Sequence, residues 1–200
     1  MTRFDSHDRM TARNGQAARR AARIGGFSLI ELMITIAIAG ILTAVAAPSM
    51  SRMFKSNRLQ SEASSFVGDL MMARTEAVKR GQNMSVCVSS DGVNCLTTNT
   101  WQSGWIVFVD PAAACSGGSN ATPVLRVRKT FSGTDTFTAS TASKTCITFN
   151  REGFTSNLGT ATVTFTLHNT PTVNDATRCV VVDLGGRINT KKAGEVASCS

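Results

Sequence analysis

Apolar and polar positions divide the chain into regions of different pattern. From residue 27 to residue 47 nearly every side chain is apolar, and Glu31 is the only ionisable one. This stretch of 21 residues is close to the roughly 20 that an α-helix needs to cross the hydrocarbon core of a bilayer. The pattern predicts a membrane-spanning helix with one carboxylate near its N-terminal end.

The next region has the period of an amphipathic helix that ends at Gly81. Apolar residues recur every three or four positions, which indicates one buried stripe. Charged residues recur every seven positions on another face, which we expect to be solvated. The pairs Arg58–Glu62 and Glu76–Arg80 add a few tenths of a kcal/mol at most. The stripe is Leu59, Ala63, Phe66, Leu70, Ala73 and Ala77, and the charged row is Lys55, Glu62, Asp69 and Glu76.

From residue 82 onward the chain is rich in Thr, Ser, Gly and Val, in short alternating runs typical of strands. Turns at 91–92, 117–118, 132–133, 152–153 and 185–186 separate or end them. We predict six strands in an antiparallel, meandering sheet on which the amphipathic helix packs, giving an α+β domain. The six runs are MSVCVSS, GWIVFVD, VLRVRKT, KTCITFN, ATVTFTLH and RCVVVDL.

The basic charge is concentrated before the apolar stretch. Residues 1–26 hold six arginines and two aspartates, a charge of +4 out of the +8 of the whole chain. The positive-inside tendency therefore places the N-terminus in the cytoplasm and everything after Pro48 across the membrane. The alternative is a secretory signal peptide cleaved within residues 44–47, but that interpretation leaves Glu31 unexplained.

Glu31 is expected to meet a cation, because an unpaired carboxylate in a bilayer costs about 2–3 kcal/mol or more near the centre and somewhat less near an end. Cleavage after Gly26 would create an α-amino group on Phe27, about one helical turn away. The stretch GGFSLIELMITIAIAGILTAVAAP, residues 25–48, closely resembles the N-terminus of type IV pilins and type II secretion pseudopilins.

The resemblance implies a processing and assembly pathway. A membrane-embedded prepilin peptidase would cleave between Gly26 and Phe27 on the cytoplasmic side, and the new N-terminus at Phe27 would be methylated. Glu31 would then pair with the terminal amine of a neighbouring subunit during filament assembly. The implied domains are a basic prepilin leader (1–26), a hydrophobic membrane and assembly helix (27–48), an amphipathic helix (49–81) and a β-rich globular domain (82–200).

Later stretches resemble the globular domain shared by type II secretion pseudopilin H and the minor pilins FimT and FimU. They are DLMMARTEAVKRG, the two tryptophans with GWIVFVD, FNREGF and VVVDLGGRI. The implied fold is pilin-like, with a long N-terminal helix packed on an antiparallel β-sheet. The implied function is that of a minor pilin, which assembles into or primes a type IV pilus. The alternative is a minor pseudopilin that acts in type II protein secretion.

Six cysteines lie in the part predicted to be periplasmic, where an oxidising environment favours disulfides. Fifteen pairings are possible, and short loops favour Cys87–Cys95 and Cys179–Cys199, which leaves Cys115–Cys146. A zinc site is not predicted, because no C-x-x-C pair with further Cys or His is present.

A Gly-flanked basic segment near the C-terminus, residues 185–194, is expected to be an exposed loop and is a candidate for DNA binding. Arg187, Lys191 and Lys192 could contact backbone phosphates without reading sequence, and Arg126, Arg128 and Lys129 could add to the same face. Some FimT proteins carry Gly-Arg-x-Arg here, and in this chain Asn189 takes the place of the second arginine. The alternative is a solvated cationic loop.

The sequence carries no pattern of an enzyme. It has no nucleophile elbow, P-loop or dinucleotide fingerprint, and His168 is the only histidine beyond the leader. We predict a structural subunit without a cofactor. Its expected partners are the prepilin peptidase, other pilins or pseudopilins, the inner membrane before assembly and DNA phosphates. The pilus is favoured over the secretion filament by the Gly-Arg with nearby lysines and by the cysteine-rich domain.

Overall fold

A computed structural model of the 200-residue chain describes residues 26–115, 123–159, 162–170 and 176–199. Residues 1–25 of the predicted leader and the predicted turn at 117–118 lie outside the described residues. The chain forms two compact units, which divide after Ala44.

The first element is one long helix, α1 (Leu29–Arg80). It ends where Gly81 adopts a φ of +64° and the Gln82 amide donates to the carbonyl of Ala77 at 3.2 Å, as the glycine signal predicts. Within the described residues no single helix is both long and apolar enough to span a membrane. By length and composition alone, the segments Leu29–Ala44 and Ser49–Arg80 pass that test when they are taken together.

Eight strands follow α1 within the described residues, in two antiparallel sheets. The first sheet has the order β3-β2-β1-β5 and the second the order β4-β6-β7-β8. A short 3-10 helix, Trp101–Ser103, precedes β2. The strands are β1 (Met84–Val88), β2 (Gly104–Val109), β3 (Val124–Lys129), β4 (Thr136–Ala139), β5 (Cys146–Phe149), β6 (Val163–His168), β7 (Arg178–Val182) and β8 (Ile188–Lys192).

The prediction of six strands in one meandering sheet was therefore wrong in number and arrangement. The six predicted runs all form strands, and the two additional strands are β4 and β8. Both are edge strands of the second sheet, and β8 has the mostly polar sequence INTKK. The edge strand β8 is held mainly by backbone hydrogen bonds to β7, so it needs no apolar alternation of its own. β4 does alternate, with Phe137 and Ala139 buried, but it is only four residues long.

The core lies between the second half of α1 and the inner faces of both sheets. All six residues of the predicted stripe, from Leu59 to Ala77, are fully buried. Phe66 is at the centre, with edge contacts at centroid distances of 5.3 Å to Trp101 and 5.1 Å to Trp105. Burial of this apolar core, with its aromatic cluster at the centre, is the main favourable term for this unit.

Candidate functional site

The predicted cleavage residues lie just before the N-terminal end of α1, the predicted assembly residue lies in its first turn, and all of them are exposed. Gly26 is exposed and Phe27 is 80% exposed. The helix begins two residues later, and the Leu32 amide donates to the carbonyl of Ser28 at 3.1 Å. Glu31 is exposed in the first turn. The Gly26–Phe27 bond and the Glu31 carboxylate are therefore both accessible to partners.

Large apolar side chains are exposed all along the beginning of α1. The polar hydroxyls in this segment bond within the helix: Thr35 donates to the carbonyl of Leu32 at 2.8 Å, and Thr43 donates to that of Ala39 at 2.9 Å. Such internal bonds lower the cost of placing a hydroxyl in an apolar medium. The exposed apolar residues are Phe27, Leu29, Ile30, Leu32, Met33, Ile34, Ile36, Ile38, Ile41 and Leu42.

Asp69 is a buried ion-pair centre, which corrects the prediction that it belongs to a solvated row. Its side chain is 3% exposed, and it accepts a hydrogen bond from the indole of Trp105 at 3.0 Å. The guanidinium of Arg128 lies at 2.8 Å and that of Arg126 at 3.4 Å. Seven-residue spacing could not reveal this burial, because β3 supplies both arginines from a distant part of the sequence.

Arg58 also has a different partner from the one predicted. It pairs with the buried carboxylate of Asp135 at 2.5 Å rather than with Glu62. One oxygen of Glu62, one oxygen of Asp135 and the Nε of Arg58 are buried without a hydrogen-bond partner within the described residues. The predicted Glu76–Arg80 pair is confirmed, at 2.6 Å.

Partial burial, with the nearby Asp135 carboxylate, raises the pKa of Glu62 to about 7, although Arg58 acts in the opposite direction. When the pKa of a carboxyl is higher in the folded than in the unfolded state, the fold becomes less stable as the pH rises between the two pKa values. We expect Glu62→Gln to match the wild type near pH 4 and to exceed its melting temperature above pH 8. Melting curves of both chains from pH 4 to pH 9 measure the difference. If the melting temperatures of both chains changed equally with pH between pH 5 and pH 7, Glu62 would be ionised normally in the fold.

Arg74 of α1 joins two turns that are far apart in sequence. Its Nε donates to the carbonyl of Gly153 at 2.9 Å, and its Nη2 donates to the carbonyl of Gly185 at 3.1 Å. The amide of Thr155 donates to the carbonyl of Leu184 at 3.1 Å, which connects the same two turns directly. Three of the stretches that carry the family resemblance therefore meet at one place.

The glycine before Arg187 has a packing role at this junction. Gly186 has a φ of +70°, and a Cβ built there would lie 2.2 Å from the carbonyl oxygen of Gly153. Any side chain would both strain the backbone and separate the turns. The Gly-Arg dipeptide is thus accounted for in part by structure, independently of any ligand. Sequence analysis missed Arg74, although it lies within one of the quoted stretches.

The segment 185–194 is not the single exposed loop that the sequence analysis assumed. It consists of a turn followed by β8, which pairs with β7. Lys191 and Lys192 are consecutive strand residues, so their side chains point to opposite faces of the sheet. Lys191 is on the face of Asn189, whereas Lys192 is on the face that carries buried Ile188 at the other end of β8.

The other candidate cations are mostly engaged. Arg126 and Arg128 share the single carboxylate of Asp69, as described above, so one of their two charges is offset within the fold. Arg187 is exposed, and its backbone amide donates to the carboxylate of Asp183 at 2.8 Å. The basic residues expected to form one face therefore divide between β3, the turn before β8 and the two faces of β8.

All six cysteines are paired in disulfides: Cys87 with Cys95, Cys115 with Cys146 and Cys179 with Cys199. The first two lie on the outer face of the first sheet, in a small apolar cluster with Ile106 and Phe108. The third holds the C-terminal segment against β7 and β6, where Ser198 and Thr164 share a hydrogen bond of 2.7 Å. These are the two pairings that short loops favour and the third pairing that those two leave.

Comparison with known families gives two matches. A family described as "Type II transport protein GspH" matches residues 62–186. One described as "Prokaryotic N-terminal methylation motif" matches residues 22–47. No curated protein matches the chain significantly in sequence.

Several solved structures resemble the fold. Two crystal structures of the type IV minor pilin FimU of Pseudomonas aeruginosa have TM-scores of 0.53 and 0.50, with 23% and 24% identity. They cover 68% and 66% of this chain, and 89% and 91% of their own. The minor pseudopilin EpsH of the type 2 secretion system of Vibrio cholerae has a TM-score of 0.47 at 14% identity, and the match covers 69% of this chain and 99% of EpsH. The likeness to FimU confirms the pilin-like fold.

Proposed function

Because the chain belongs to the GspH family of pilin-like proteins and carries an N-terminal methylation motif, we propose that it is a minor pilin of a type IV pilus. Members of this family are structural subunits, anchored in a membrane and assembled with other pilins or pseudopilins into a filament. We propose in addition that this chain enters or primes a pilus after a prepilin peptidase has removed residues 1–26.

One observation carries this proposal: the first segment of α1, residues 29–44, begins two residues after Phe27, is apolar and exposed, and contains a single ionisable residue, Glu31. In a membrane or a filament core the carboxylate would need a cation. The N-terminal amine of a neighbouring subunit is a cation of suitable size, and a methylated amine keeps its charge at neutral pH. Glu31 would thus select a correctly processed neighbour.

The proposed topology places the N-terminus in the cytoplasm and the β-rich domain in the periplasm. It is supported by the arginines before the apolar segment. It is also supported by the three disulfides beyond that segment, which form in an oxidising compartment. On this basis residues 27–48 anchor the subunit before assembly, and residues 49–81 pack on the domain formed by 82–200.

Processing gives the first test. The native membrane protein is expected to begin at Phe27 and to carry one extra methyl group, because residues 22–47 match the N-terminal methylation motif. Intact-mass measurement of the purified native subunit checks both features. A chain that begins near Pro48 would instead indicate a secreted domain released by a signal peptidase.

The alternative assignment is a minor pseudopilin of type II secretion. We favour the pilus on the Gly-Arg turn with its neighbouring lysines and on the three disulfides. Identification of the filament proteins that co-purify with the native subunit after crosslinking separates the two assignments. Pilus subunits are expected, and secretion-system partners would overturn the choice.

We further propose DNA contact through one face of β8 as a second role. The observation that favours it is the exposure of Arg187 directly before the strand, followed by Asn189 and Lys191 on one face. A row of two cations would contact backbone phosphates of any sequence. Arg187, Asn189 and Lys191 include no aromatic side chain that could stack on bases, so DNA binding should be weak and independent of sequence.

The DNA proposal predicts a specific pattern among variants. The full chain in detergent should bind unrelated duplexes alike, with a log–log salt slope of about −2 for two neutralised phosphates. Arg187→Ala with Lys191→Ala should abolish most of this binding. Lys192→Ala, on the opposite face, is the matched control and should retain it. Gel retardation at low salt measures DNA binding by the wild type, the double variant and the control. If the double variant binds DNA as well as the wild type does, β8 is an ordinary solvated edge strand.

A further inference from the structure

A second basic surface lies within the second compact unit, on residues 50–55 of α1 and the end of the second sheet that contacts them. Met50, Met53 and Phe54 have helical spacing that puts them on one face of α1, and they are 51%, 56% and 63% exposed. Arg52 is exposed between them, and Lys55 follows as a half-buried residue. Exposed apolar residues interleaved with cations are typical of helices that lie at a membrane–water interface.

The second sheet contributes another cation to this region. Arg178 of β7 donates to the hydroxyl of Ser56 and to the side-chain oxygen of Gln60, both at 2.9 Å, and so fixes the end of β7 on α1. Lys192 of β8 is the register partner of Arg178 and is exposed. Cross-strand partners share a face of the sheet. Lys192 is therefore on the side of the sheet that contacts Ser56, one residue after Lys55.

None of the three cations Arg52, Lys55 and Lys192 forms an ion pair with a carboxylate in the described part of the chain. Glu195, in the turn after β8, is exposed to solvent. This contrasts with Arg58, Arg126 and Arg128, which are all paired. We call Arg52, Lys55 and Lys192 the basal cation cluster.

We propose that the basal cation cluster binds the phosphodiester headgroups of anionic phospholipids, such as phosphatidylglycerol, on the periplasmic surface of the inner membrane. The inference rests on the proposed topology, in which residues 27–47 span that membrane. Arg52 lies five residues beyond the span, or about 7.5 Å at 1.5 Å per residue. At this distance its guanidinium would lie at the headgroup level, and Met50, which is nearer to the span, would contact the glycerol and upper acyl region.

The chemistry of the cluster favours a phosphodiester over a zwitterionic surface. A guanidinium can bind two phosphate oxygens at once, and an ammonium acts as a compact point charge. Each cation near an anionic surface contributes about 1 kcal/mol, or roughly fivefold in affinity. The contact would hold the β-rich domain against the membrane until assembly withdraws the subunit.

Native mass spectrometry of the processed full chain tests this proposal. The chain is kept in a nonionic detergent with equal amounts of phosphatidylglycerol and phosphatidylcholine. We expect phosphatidylglycerol adducts to predominate in the wild type. Arg52→Gln with Lys55→Gln and Lys192→Gln should reduce that preference by on the order of tenfold or more. The matched control, Lys79→Gln with Arg187→Gln and Lys191→Gln, has the same net charge as the basal variant and should keep the preference for phosphatidylglycerol.

Several results would overturn the proposal. They are equal binding of both lipids by the wild type, an unchanged preference in the basal variant, or an equal loss in the control. Complete competition by millimolar inorganic phosphate would indicate a free-anion site. Reduced filament incorporation with an unchanged lipid preference would indicate a protein partner. Because the same spectrum gives the chain mass, incorrect processing appears as a different N-terminus. Unchanged near-ultraviolet circular dichroism verifies that each variant is folded.

Discussion

Replacement of Asp69 by alanine is expected to lower the free energy of unfolding by about 3 kcal/mol. The carboxylate is buried, and its loss leaves the indole donor of Trp105 without a partner. Arg126 and Arg128 also lose their counter-ion, although water replaces part of that contact because both are partly exposed. Urea unfolding of the full chain in detergent, followed by the fluorescence of buried Trp101 and Trp105, measures the change.

Glu76→Ala is the matched control for this prediction. Glu76 lies two turns further along α1 and pairs with Arg80 and Lys79 near the surface. Exposed pairs contribute little to stability, so the control should unfold at nearly the wild-type urea concentration. Similar midpoints for the two variants would mean that Asp69 is no more important than a surface charge.

Replacement of Glu31 by alanine is expected to remove most of the subunit's incorporation into filaments. The substitution lowers the cost of membrane insertion, and Glu31 lies outside the buried core, so the β-rich domain should remain folded. Assembly should fail because the amine of Phe27 in the neighbouring subunit loses its proposed partner. The ratio of subunit in sheared filaments to subunit in the membrane measures the loss.

Thr43→Val provides the control for Glu31→Ala in the same apolar segment. The hydroxyl of Thr43 bonds to carbonyls of its own helix at 2.9 Å, so it makes no demand on a neighbour. We expect normal incorporation of this variant. Normal incorporation of Glu31→Ala as well would rule out the proposed pairing with the terminal amine.

Much of the architecture could be predicted from local sequence pattern. The three- and four-residue spacing of apolar positions identified the stripe of α1 that is buried, from Leu59 to Ala77. Gly81 marked the end of the helix, because a left-handed residue there costs glycine little. The six alternating runs all became strands. The match to the GspH family and to the methylation motif confirms the family that the quoted stretches suggested.

The remaining errors concern contacts between residues that are distant in sequence. Asp69 looked solvated by its spacing, but β3 places Arg126 and Arg128 over it. Lys191 and Lys192 looked like one basic loop, but strand pairing directs them to opposite faces. A local period shows which positions share a face of an element, but not which other element covers that face.

The sequence by itself determined the features that depend on neighbouring residues: the apolar segment with Glu31, the amphipathic stripe of α1 and the strand runs of an α+β domain. It also carried the family assignment, because that assignment rests on contiguous motifs. Only the tertiary structure decided the division into two sheets, the edge strand β8 and the junction of Arg74 with Gly153 and Gly185. These features arise from backbone pairing and side-chain contacts across long stretches of chain, whose partners no local pattern specifies.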